Sequence, residues 1–157
     1  MKKFLKVLMW IVILVVICLG IYTILPNYPK NFVKSFVQPV VNSEAKARIN
    51  AVKNLTNQDV DATYEMILEP NTSLSFWVYE KNETDGTETV SFYGNGAYIN
   101  IEGIEDHNDM LYTDCSVKFD FVIKGNTVKI NAYIDNVAQD DVIKEVMIEQ
   151  LKNGKPL

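Results

Sequence analysis

The sequence predicts an α+β fold carried behind a single N-terminal transmembrane helix. Three observations carry this. Residues 7–25 form an apolar run without a charge. Apolar residues recur at helical spacing over 43–68 and again over 142–151. Between them, over 73–135, the period switches to two, the mark of strands with one buried face.

The run at 7–25 is long enough to reach roughly 28 Å as a helix, close to the ~30 Å hydrocarbon core of a bilayer. Lys2, Lys3 and Lys6 precede it, and only Lys30 and Lys34 follow closely. The positive-inside bias places residues 1–6 in the cytoplasm as a tail and the rest outside the cell. Trp10 falls near one interface, and Tyr22 and Tyr28 near the other. A cleavable signal peptide would have a shorter core. Cys18-Leu19-Gly20 offers a small-x-small site, yet Ile21, Tyr22 and Ile24 continue the apolar run past it. A lipoprotein signal would put a small residue before Cys18, where Ile17 stands. The reading is an uncleaved signal anchor.

Residues 26–42 form a juxtamembrane linker punctuated by Pro26, Pro29 and Pro39. Phe32, Val33, Phe36, Val37, Val40 and Val41 recur at helical spacing, as in a short amphipathic helix. Such a helix either lies on the outer leaflet or packs on the domain that follows.

The domain at 43–157 opens with two helices. Ser43 is the expected N-cap of the first, which places Ala45, Ile49, Val52 and Leu55 on one side. Thr56 to Asp59 resembles a capping box, and Val60, Tyr64, Ile67 and Leu68 mark a second helix, stopped by Glu69-Pro70. A curved antiparallel meander of about five strands follows. SLSFWVYE (73–80) is the first. Asn95-Gly96 reads as the two-residue turn of a hairpin that pairs Phe92 with Ile99 and Val90 with Ile101. Gly125-Asn126 is the turn of another hairpin, which pairs Ile123 with Val128, Phe121 with Ile130, Phe119 with Ala132 and Val117 with Ile134. On its other face Asp120 meets Asn131, and Lys118 meets Tyr133. The long strand from Met110 calls for a bend or bulge. A last helix from near Asn136 carries Val142, Ile143, Val146, Met147 and Leu151, and Gly154 and Pro156 end it.

At the level of shape alone, an anchor followed by helices and a curved antiparallel sheet resembles the outer domains of secretion and conjugation assembly factors with a cystatin-like or NTF2-like fold. No motif is shared, so the resemblance assigns no residue a role.

Composition narrows the chemistry. The net charge is −5, and without the three cytoplasmic lysines the outer part carries twelve basic against twenty acidic residues. Such a surface disfavours nucleic acid, whose phosphates need Lys and Arg, and suits a basic protein partner. Lysine outnumbers arginine fourteen to one, the bias of an AT-rich bacterial genome. Cys18 and Cys115 fall on opposite sides of the anchor's boundary, so the domain folds without a disulfide. His107 is the only histidine. It sits in the acidic loop GIEDHNDM, which lacks the spacing of a calcium loop. The residues point to no catalytic group, no metal and no cofactor. The alternation instead sends Trp77, Tyr79, Tyr93, Tyr98, Tyr112 and Tyr133 to the sheet face away from the core, among Ser, Thr, Asn and Lys. That mixture suits a protein-binding face, and it also suits an ordinary solvated sheet. The expectation is a non-enzymatic, membrane-anchored module outside the cell that holds a protein partner, for instance an immunity protein capturing a secreted toxin. The alternative is a small structural subunit of an envelope secretion or conjugation assembly.

Overall fold

The computed structural model describes residues 2–24 and 27–154. Leu25, Pro26 and Pro156 lie outside the described residues, as do the side chains of Lys2, Lys3, Leu19, Tyr22 and Ile24. The chain divides into two compact units, Met1–Lys34 and Ser35–Leu157.

In the first unit α1 runs Lys2–Ile24 as one uninterrupted helix. Its described large apolar side chains, at 7–17 and 21, are all exposed. Among the described residues no helix is long and apolar enough to cross a membrane. The linker is helical as expected: α2 spans Asn27–Val41 and buries none of its residues.

The second unit begins within α2, at Ser35, and continues with α3, Ser43–Lys53, which buries Ala45, Ile49 and Val52. Its N-cap is Asn42, one residue before the expected Ser43. Asn42 Oδ1 accepts from the Ala45 N–H at 3.0 Å. The second helix is much shorter than its periodicity promised. β1 (Thr56–Asn57) and β2 (Ala62–Thr63) form a small ladder instead. The Asn57 side chain organises the turn between them by accepting from the N–H groups of Asp59 and Val60. Asp61 then takes a left-handed φ of 48°, which no helix interior tolerates. Only α4, Tyr64–Leu68, remains, capped by Thr63.

Five strands form one antiparallel sheet in the order of the chain: β3 (Leu74–Lys81), β4 (Glu88–Ile101), β5 (Met110–Lys124), β6 (Thr127–Ile134) and β7 (Val137–Gln139). The β5–β6 hairpin has the predicted register at all six predicted pairs. The Asn95-Gly96 hairpin does not form. β4 runs straight through it, pairing Phe92 with Trp77 on one side and Phe119 on the other. Between the Gly94–Val117 and Ala97–Cys115 pairs, Asn95 and Gly96 stand opposite Ser116 alone, a β-bulge. Gly96 supplies the positive φ of 72°, and a Cβ there would collide with the Ser73 hydroxyl. One step on, β5 inserts Asp114, with φ of 56°. This is the irregularity its length called for. The helix expected from Asn136 starts later. Asp135 and Asn136, both with positive φ, make a tight turn into β7. Asp140 then caps α5, Asp141–Asn153.

The helices of this unit cover one sheet face. Phe92, Phe119, Phe121, Ile99 and Ile134 meet Ile67 and Leu68 of α4 and Met147, Ile148 and Leu151 of α5 in a single core. Two backbone segments at the sheet's margins are met by glutamine side chains. The Gln38 amide gives and accepts a hydrogen bond with the Tyr79 backbone, at 2.7 and 2.9 Å. The Gln150 amide does the same at Asn100, at 2.5 and 2.7 Å.

Candidate functional site

The six aromatics expected on one open face are divided among three environments. Trp77 and Tyr79 point into the core and are 6% and 3% exposed. Trp77 packs its ring against Phe92 at 5.0 Å and donates from Nε1 to Glu69 at 2.8 Å. Their placement on an outer face is therefore corrected. Tyr112 lies opposite Ile99 and packs half-buried against the core, a second correction. The cause differs in the two places. In β3, Phe76-Trp77-Val78-Tyr79 is apolar at both parities, so alternation could not choose a face. At Tyr112 the Asp114 bulge shifts the parity of everything before it.

Tyr93 and Tyr133 do share the face opposite the helices. They flank Lys118, whose Nζ stands 5.6 Å from the first ring centroid and 4.8 Å from the second. Lys118 also pairs with Asp120 at 2.6 Å, and Asp120 accepts from Ser91 Oγ at 2.6 Å. Burial alone would lower the Lys118 pKa, but the Asp120 carboxylate outweighs it and holds the ammonium above the ordinary lysine range. Ser91 and Asp120 are buried, as are Phe76 and Val78 on the same face. Lys118, Asp120 and Ser91 form a bonded network between two half-buried tyrosines.

Tyr98 stands elsewhere, past the bulges, opposite Thr113. It borders a hollow of about 400 Å³ with Asn100 and the α5 residues Val146, Glu149 and Gln150. That hollow shares Val146, Glu149 and Asn153 with a larger groove of about 1000 Å³ along α5. Asp59 and Asp61 from the β1–β2 turn form one wall, and Asp141, Glu145 and Glu149 of α5 form the other. Val60, Val142 and Val146 supply its apolar lining. Lys144 pairs with Asp141 at 2.8 Å and Glu145 at 3.4 Å, and it holds the Asp141 carboxyl below its usual range. Lys152 donates to the Val60 carbonyl. Among the described residues Asp59, Asp61 and Glu149 have no cationic partner.

The sequence reading missed this groove, although a signal for it existed. Asp141, Glu145 and Glu149 recur every four residues along one helix face. Like charges at that spacing weaken a helix by a few tenths of a kcal/mol.

His107 Nε2 lies 3.2 Å from Asp140 Oδ2. It thus ties the acidic loop to the cap of α5. Asp109 closes the same loop by accepting from the Gly103 N–H. Among the described residues no three His, Cys, Asp or Glu side chains are placed to hold a metal ion. Cys115 is buried, and burial pushes its thiol up to about 11, the setting of an inert core cysteine.

Comparison with protein families, with curated proteins and with solved structures finds no match for the chain.

Proposed function

We propose that the chain is a non-enzymatic protein-binding module, anchored in the cell membrane by α1, with its sheet domain outside the cell. The observation that carries the binding reading is the acidic groove along α5. Its carboxylates surround an apolar lining, a combination that suits a basic protein segment with apolar side chains between its charges. Tyr98 is the one residue of the expected aromatic set that lines the hollow adjoining it. Capture of a secreted basic toxin, as by an immunity protein, is one concrete form of this activity.

The anchor reading rests on the uncharged run at 7–25 and on the exposure of the apolar side chains of α1. Its 23 residues reach about 34 Å as a helix. Its described apolar side chains are exposed on every side, which water does not favour and lipid does. Lys6 before the run keeps the N-terminus cytoplasmic.

The test uses the full chain in lipid nanodiscs as bait for the secreted proteins of the source cell, with bound species identified by mass spectrometry. Glu145→Gln/Glu149→Gln and Tyr93→Ser/Tyr133→Ser are run beside it. A basic partner that the first variant loses, the second keeps, and rising salt releases establishes the groove. Loss in the tyrosine variant alone moves the site to the sheet. Integral membrane proteins held equally by all three baits favour the structural subunit of an envelope assembly.

A further inference from the structure

α2 presents its apolar side outward. Val33, Phe36, Val37, Val40 and Val41 follow i, i+3, i+4, i+7, i+8 spacing and so form one stripe. Every one of them is exposed, from 42% at Val33 to 84% at Val40. The opposite stripe, Phe32, Ser35, Gln38 and Pro39, is half-buried, and Gln38 is bonded to the β3 backbone. A surface helix on a globular domain has the reverse arrangement, with its apolar stripe toward the core.

Charge says what covers the stripe. The first 43 residues contain five lysines and no acidic residue, while residues 44–157 hold ten basic and all twenty acidic ones. The part of the chain that exposes its apolar side chains is therefore purely cationic. Anionic headgroups complement that charge and the hydrocarbon beneath them complements the stripe. Position agrees, because α2 starts at Asn27, three residues after α1 ends at Ile24.

We infer that α2 is an interfacial helix whose stripe from Val33 to Val41 lies in the headgroup–acyl boundary of the outer leaflet. The polar side of α2 holds the β3 edge through Gln38, so the sheet domain is set on the membrane surface rather than tethered at a distance. This rests on the anchor reading of α1, and the test separates the two.

The full chain with Cys18→Ala is reconstituted at low density in vesicles of phosphatidylcholine and phosphatidylglycerol. Cys115 is buried and stays in place. Single cysteines at Val12, Val37, Val40 and Lys46 carry an environment-sensitive fluorophore. Nitroxide-labelled lipid is expected to quench Val37 and Val40, with blue-shifted emission and loss of iodide quenching relative to exposed Lys46 on α3. Iodide quenching at Val37 and Val40 equal to that at Lys46 overturns the inference. So does a blue shift without lipid quenching, which means that protein, such as a second copy, covers the stripe. Val12 reads the anchor by itself. Lipid quenching there with iodide quenching at α2 defeats only the interfacial helix, whereas iodide quenching at all positions defeats the anchor too.

Discussion

The two faces of the one sheet are held by different physics. On the helix-covered face Phe92, Phe119 and Phe121 sit among Ile, Leu and Met side chains, and stability grows with the area removed from water. On the other face Ser91, Asp120 and Lys118 are stable because each satisfies the next. The first face degrades gradually as atoms are removed, and the second fails when a single partner is lost. Burial alone does not distinguish them, since Ser91 and Asp120 are buried too.

The comparison is sharpened by breaking each face in turn. Phe119→Ala is expected to cost about 3–5 kcal/mol through lost transfer energy and the cavity left behind. Urea unfolding of the detergent-solubilised chain, followed by circular dichroism, reads it. Asp120→Ala removes far fewer atoms but strands the Lys118 ammonium, and is expected to cost about 2 kcal/mol. Lys118→Met/Asp120→Leu takes both charges away together and is expected to lie within about 1 kcal/mol of the native chain. A double variant as unstable as Asp120→Ala would show that area, not pairing, governs this face as well.

Alkaline pH touches both faces. The folded pKa of Cys115 is about 11 against an ordinary thiol near 8.5. Folding therefore favours the protonated thiol, and its contribution is whole below the unfolded pKa and lost as pH rises through the folded one. A loss of about 3 kcal/mol is expected between those two values, and Cys115→Ala should abolish that part of the pH dependence. Lys118, also raised, loses its contribution above the lysine range.

The two faces also differ in how far the sequence reveals them. In the β5–β6 hairpin, apolar and polar residues alternate over 117–121 and 128–132, so one register alone sets the apolar side chains opposite one another. That register is the one found. β3 carries no such code, because Phe76 and Val78 are as apolar as Trp77 and Tyr79, and all four are buried. Asn95-Gly96 was misread for a different reason. A glycine with positive φ serves a hairpin turn and a bulge equally well. What decides between them is Ser73 closing on Gly96 from a strand more than twenty residues earlier. The groove along α5 was half legible. The Asp141, Glu145, Glu149 stripe is visible in one helix, but Asp59 and Asp61 join it only because the β1–β2 turn replaces a predicted helix.

Gln38 and Gln150 carry a consequence for what the sheet can become. A bare strand margin is a template, since its unpaired N–H and C=O groups accept the backbone of any passing extended chain. Each glutamine spends its side-chain amide as a peptide group of the right polarity at one such point. The sheet ends there in a group that has no neighbouring residue to continue the ladder. Wherever copies of the chain meet, two amides thereby stop one molecule's sheet from growing into the next.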